Sequence, residues 1–276
     1  VPDTFLRYPI RGQKFSYSIE VQSHILSRRT AFQQIDVYAT EAFGKILTLD
    51  GHVQLSTFDE AAYHEALVQI PLISLDLPTR ALVVGGGDGG VLRELCRSAS
   101  LTTIDMVEID QGVVDACQEV LPELSAGAFQ DARVHLYIQD AFRFLEEVRD
   151  PYDLIIMDIT DTYEGEEDAL SGSLFSEKFY LDIKAALGEK GFLVMQADNH
   201  VFCPGTMRDT MATLRSHFAH AGTYQALVPS FGGFSGYCWA SKGADIRREW
   251  LNAAPDGLVY LNAVTYALAM HQLAFS

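Results

Sequence analysis

A chain of 276 residues with 48% hydrophobic content has enough apolar side chain for one large core and a smaller second one. Its formal net charge of -17, from 20 basic and 37 acidic residues, disfavours nucleic acid as a partner, because such a surface repels phosphates, and suits a small cationic ligand. No stretch approaches the ~18 apolar residues needed to span a bilayer, and the opening VPDTFLRYPIRGQKF lacks the apolar centre of a secretory leader, so the expected setting is cytoplasmic, without a membrane partner.

From residue 13 to about 56 the pattern is that of twisted antiparallel strands. In QKFSYSIEVQ, Phe15, Tyr17, Ile19 and Val21 alternate with polar residues, the period of a half-buried strand. QQIDVYAT and KILTLDGHVQLS follow, with Asp50-Gly51 as a hairpin turn because both residues tolerate positive φ. The period then changes: DEAAYHEALVQIPLI reads as a helix with Ala62, Leu67 and Ile70 on one side. A β domain over 1–60 is expected to hand over to an α/β domain over 61–276.

From Arg80 onward, strands and helices alternate. ALVVGGG, TIDMVEID, RVHLYIQDA, YDLIIMDIT and GFLVMQAD are apolar enough to be buried on both faces, and each precedes a helical pattern. The fold class this implies is α/β: a Rossmann-like, doubly wound sheet of the kind that binds S-adenosylmethionine, with a small N-terminal antiparallel β domain. YQALVPSFGGFSGYCWASKG resembles a closing antiparallel hairpin. Cys96, Cys117, Cys203 and Cys238 show no CxxC spacing and lie in apolar runs, so free thiols are expected and no metal is assigned.

Ligands of such sheets bind at the carboxyl ends of the strands, so the residues that follow each apolar run carry the information. Four of these ends are acidic: Asp88 in GGGDGG, Glu108 in VEID, Asp140 in QDA, and Asp158 with Asp161 in DITD. Glu108 is spaced to accept from ribose hydroxyls and Asp140 from an adenine amino group, which together specify an adenosine. A pyrophosphate would meet the Asp88 charge with no cation in the turn to offset it, which disfavours NAD and FAD. A sulfonium nucleoside whose tail ends in a lone ammonium, decarboxylated S-adenosylmethionine, would feel only attraction.

These motifs, with LDGHVQ, DEAAYHE and LFSEKFY, resemble those of the spermidine synthases and related polyamine aminopropyltransferases, from roughly Phe15 to Lys242. The resemblance implies that Gln33, Gln54, Asp88, Glu108 and Asp140 hold the nucleoside and its tail, with Gly85 and Gly87 in the turn and His64 shaping the junction. It further implies that Tyr63, Asp158 and Asp161 face the amine acceptor, that Gln196 lies near the far end of that pocket, and that the enzyme is a homodimer or homotetramer; Phe231 is a further substrate-binding candidate, outside what the resemblance carries over. Asp158 is the expected base and Tyr63 the group that orients the amine. Decarboxylated S-adenosylmethionine would be a co-substrate, with no tightly bound cofactor.

The acceptor is putrescine on the simplest reading, or agmatine, spermidine or another amine. Two departures bear on it. SFGGFSG stands where the family has tyrosine, proline, serine and glycine, and DITD lacks the family's following proline. Beyond it, six acids fall within eleven residues, Asp158, Asp161, Glu164, Glu166, Glu167 and Asp168. That run is either a solvated charge cluster or a gate loop attracting a polycation. Rival functions are an S-adenosylmethionine-dependent methyltransferase and a nucleoside-binding relative without turnover.

Overall fold

The computed structural model describes residues 5–9, 15–159, 176–199, 201–250 and 254–271. Five strands form an N-terminal antiparallel meander in chain order: β1 (Phe5–Pro9), β2 (Ser16–Arg29), β3 (Gln34–Thr40), β4 (Gly44–Leu49) and β5 (His52–Ser56). Its inner residues Ile35, Val37 and Leu47 pack on Val113, Ala116 and Cys117 of helix α3 (Gln111–Val120). The alternation in β2 overstates its burial: Ile19 is buried, but Phe15 and Tyr17 are exposed on the described chain.

Helix α1 (Glu60–Ser74) follows and differs from its sequence reading. Every residue from Ala62 to Ile73 is buried, polar ones included, so it is a central helix rather than a surface one. Its polar side chains are matched by remote partners. Glu65 accepts from the backbone N–H groups of Val259, Tyr260 and Leu261, and Gln69 donates to the Glu94 carbonyl. Two tyrosines hold its backbone, Tyr237 donating to the Tyr63 carbonyl and Tyr224 to that of Ala66.

The larger sheet contains β6 (Arg80–Gly85), β7 (Thr103–Glu108), β8 (Val134–Ile138), β9 (Tyr152–Asp158), β10 (Leu187–Asn199), β11 (His220–Val228) and β12 (Gly233–Ser241). Their spatial order is β11-β12-β10-β9-β6-β7-β8, with β10 through β8 parallel and β12 and β11 added antiparallel at one edge. Between them run α2 (Gly90–Cys96), α3, α4 (Pro122–Ser125), α5 (Ala141–Glu147), α6 (Glu177–Ala186) and α7 (Pro204–His217), and α8 (Ala263–Met270) follows β12.

In β6, β7, β9 and β10 alternate residues serve opposite cores, which is why they read as continuous apolar runs; β8, at the sheet edge, departs from that expectation and leaves His135, Tyr137 and Ile138 exposed. Val83, Met106, Ile156 and Val194 face α1, whereas Leu82, Val107, Ile155 and Leu193 face α6 and α7. The chain passes from β6 to β7 and β8 on one side, then returns to β9 on the other. The topological switch therefore lies between β6 and β9, where Gly85 stands in register with Asp158. All four cysteines are free thiols, and no described helix is long and apolar enough to cross a membrane.

Candidate active site

At the switch point the chain turns sharply. Gly85 has φ +83°, and a Cβ there would sit 2.2 Å from the Asp158 carbonyl, so only glycine fits. The Gly86 N–H donates to that same carbonyl at 2.9 Å, tying the turn to the end of β9. A Cβ at Gly87 would come within 3.1 Å of a Glu108 carboxylate oxygen, so the turn also abuts the end of β7.

Three side chains from three elements meet above this turn. Asp158 ends β9, Asp88 projects from the turn, and His64 reaches in from α1, with one polar atom of each within 4.8 Å of the others. The Tyr63 hydroxyl donates to Asp158 Oδ1 at 2.6 Å. Burial first, then the Asp88 charge, push the Asp158 carboxyl up to about 6, while His64 and the Tyr63 hydrogen bond act against the rise. Burial opposes a charge on His64, but Asp88 and Glu60 outweigh it and hold the imidazole up to about 10. It is an imidazolium at neutral pH.

The glycine turn itself contains no cation, as its sequence indicates, yet α1 supplies one. Two carboxylates and one imidazolium leave the cluster net negative, by less than the carboxylates alone would.

Glu108 lies deeper, its carboxylate accepting from the Asp110 N–H at 2.9 Å. Burial raises its carboxyl to about 7 against the hydrogen bonds from the Asp110 and Ile109 backbone. Gln33 donates to Asp110 Oδ2 at 2.9 Å, and Asp110 caps α3, so Gln33 reaches this region through Asp110. Asp140 caps α5 by accepting from the Phe142 N–H at 2.8 Å, one edge strand further on. Gln54 donates to the His52 carbonyl at 3.2 Å and has no described contact with the cluster.

Of the residues expected near the acceptor, Gln196 donates to the Ile159 carbonyl at 3.3 Å, directly after Asp158. Phe231 lies in the turn between β11 and β12, edge-on to Tyr63 with ring centroids 5.7 Å apart. That turn is anchored from both sides. Asp59 accepts from the Ser230 N–H and hydroxyl, and Asn199 donates to the Phe231 carbonyl. Asp161 and the acidic run over 161–170 lie outside the described residues.

Sequence reasoning missed Asp59 and the pair Glu60–Arg93, which stand directly behind the site. The i, i+4 spacing of Glu60 and His64 was a readable signal for one contact. The Asp59–Ser230 contact joins residues 171 apart and leaves no local trace.

Two family models match the chain: the spermine/spermidine synthase domain over residues 60–249 and the spermidine synthase tetramerisation domain over residues 7–57. A polyamine aminopropyltransferase of Ruegeria sp. is 36% identical over 265 residues, covering 95% of this chain and 92% of the relative. Polyamine aminopropyltransferase 1 of Pseudomonas aeruginosa is 38% identical over 238 residues, covering 86% and 80%. A spermidine synthase solved with the transition state analogue AdoDATO superposes with TM-score 0.91 at 26% identity, covering all of this chain and 94% of that one. The Thermotoga maritima spermidine synthase gives 0.88 at 25%, covering 100% and 93%. With a matching spermine/spermidine synthase domain model over most of its length and relatives 36–38% identical over most of both chains, the chain belongs to the spermine/spermidine synthase family.

Proposed function

We propose that the protein transfers the aminopropyl group of decarboxylated S-adenosylmethionine to a primary amine, putrescine on the simplest reading, and releases 5'-methylthioadenosine. The observation that carries this is the meeting of Asp158, Tyr63, Asp88 and His64 at the switch between β6 and β9. The amine nitrogen attacks the methylene beside the sulfonium, the carbon–sulfur bond breaks, and the electron pair leaves on a neutral thioether. An ammonium has no lone pair, so a base must take the proton. Asp158 fills that role, and burial makes it a stronger base than an ordinary carboxylate. Tyr63 holds the Asp158 carboxylate and orients the nitrogen, and Phe231 and Gln196 flank the acceptor.

The nucleoside lies across the ends of β6, β7 and β8, with Glu108 taking the ribose hydroxyls, Asp140 the adenine amine and Asp88 the tail ammonium; Gln33 and Gln54 complete that wall. Alignment supplies much of the rate, since no covalent intermediate is needed. Asp161 would contribute to amine binding. The matched tetramerisation segment supports a homo-oligomer, and the N-terminal β domain would end and the catalytic domain begin near residue 60.

A panel of putrescine, cadaverine, agmatine and spermidine with the decarboxylated donor, read by mass spectrometry of the amine products, tests the acceptor. The expected result is a single preferred diamine extended by one aminopropyl group. Extension of spermidine in preference to every diamine would reassign the acceptor.

A further inference from the structure

Behind the site, charges alternate in an unbroken chain that runs from Asp88 towards the surface. His64 Nε2 lies 3.3 Å from Asp88 Oδ1, and His64 Nδ1 lies 2.7 Å from Glu60 Oε2. Arg93 donates to both Glu60 oxygens, at 3.0 and 2.9 Å, and through Nε to Glu94 at 2.9 Å. Arg97 ends the series, its Nε 3.0 Å from Glu94 Oε2 without hydrogen-bond alignment. Glu94 and His64 are fully buried, and the sequence of signs is minus, plus, minus, plus, minus, plus.

We infer that Glu60 and Arg93 are positioning residues of the transfer reaction, which keep His64 an imidazolium and so fix the rotation of Asp88 and the charge facing Asp158. Two geometric facts support this beyond the ion pairs. Both described contacts to Asp88, from His64 and from the Gly90 N–H at 2.7 Å, fall on the same oxygen, which pins the carboxylate plane. Gly90 also makes room for the ring, since a Cβ there would lie 2.3 Å from His64 Cε1. The last glycine of GGGDGG therefore serves a histidine, and the turn and the helix behind it form one unit.

His64 is faced by Glu60 on its own helix, Asp88 on the turn and Asp158 at the end of β9, with Arg93 of α2 behind Glu60 and the Tyr63 ring edge-on at 5.2 Å. A carboxylate on each side keeps the ring protonated. Removing Glu60 takes away one of these, and burial then favours the neutral ring. A neutral His64 no longer stabilises the Asp158 carboxylate and no longer cancels part of the Asp88 charge.

The inference rests on the aminopropyl-transfer reading for its kinetic part only. Its test begins with carbon-13 labelled histidine in the whole protein, with the His64 resonance assigned by loss in His64→Gln. In the wild type that resonance is expected to stay protonated from about pH 6 to 8, where ordinary histidines titrate. In Glu60→Gln it is expected to titrate within that range, and kcat/KM is expected to fall about tenfold relative to the wild type as pH rises over the same interval, whereas the wild type shows only the rise set by Asp158 and Glu108. Glu60→Asp should restore the wild-type profile, and Arg93→Lys should move it in the direction of Glu60→Gln. Ordinary titration of His64 in the wild type overturns the inference even if no variant folds, as does a Glu60→Gln enzyme with an unchanged resonance and profile. Failure of the wild type to transfer an aminopropyl group to any amine would instead count against the proposed reaction.

Discussion

The Tyr63 hydroxyl and Asp158 Oδ1 are 2.6 Å apart, a charge-assisted hydrogen bond between the start of α1 and the end of β9. That bond favours the ionised carboxylate, so Tyr63→Phe should raise the Asp158 pKa above about 6. Activity that requires ionised Asp158 would then appear at higher pH. The acid limb of kcat/KM is expected to shift upward by about half a unit or more, and loss of the hydroxyl that orients the amine is expected to lower the plateau above that limb roughly tenfold. A pH–rate profile of the variant measures both; an unmoved acid limb would detach Tyr63 from the base.

Replacing the base itself should separate chemistry from binding. Asp158→Asn is expected to lower kcat by about 10²- to 10⁴-fold while methylthioadenosine affinity stays within a few-fold. Single-turnover rates and calorimetry on the same preparation give the two numbers. More than a tenth of wild-type rate would place the proton on another group.

Glu108 is held at about 7, above its ordinary 4.5, chiefly by burial. Ribose hydroxyls donate hydrogen bonds, which favour the carboxylate, so nucleoside binding should release a proton near neutrality and tighten as pH rises through about 7. Calorimetry in two buffers of different ionisation enthalpy reads the proton directly. The same elevation makes Glu108 a burden on the fold. Its neutral form is favoured in the folded state, so stability is fully present below about 4.5 and falls as pH rises through about 7. Glu108→Gln should therefore melt a few degrees higher than wild type at pH ~8, and with no gain at pH ~4, while losing nucleoside affinity.

On the proposed reading, Asp88 sets the donor preference. Asp88→Asn removes attraction for the tail ammonium and repulsion of a tail carboxylate together, so the affinity ratio of decarboxylated donor to S-adenosylmethionine should fall by about tenfold, or 1.4 kcal/mol. Because His64 already offsets part of the Asp88 charge, Asp88→Asn should also bring the His64 pKa down from about 10. Calorimetric titration of both donors decides it, and an unchanged ratio would remove the electrostatic account of the turn.

What could be read in advance follows from where information is local. Each parallel strand is an apolar run closed by its own acid, so Asp88, Glu108, Asp140 and Asp158 were legible together with the order of the elements. Helix α1 was harder. Ala62, Leu67 and Ile70 mark one apolar side in the sequence, and only the backbone over 259–261 and Glu94 explain why Glu65 and Gln69 are buried as well. Phe15 and Tyr17 show the converse, since period-2 alternation marks a strand without stating that a layer covers it. Arg93 reads as one more helix-surface arginine until Glu60, 33 residues earlier, is placed beside it.

One comparison tests the central claim most directly: wild-type enzyme with putrescine, given either decarboxylated S-adenosylmethionine or S-adenosylmethionine, with both the amine and the nucleoside product identified by mass spectrometry. The expected result is stoichiometric spermidine and methylthioadenosine from the decarboxylated donor, and no transfer from S-adenosylmethionine. A methylated amine with release of S-adenosylhomocysteine would contradict it, and would make the acids at the switch point a methyltransferase site.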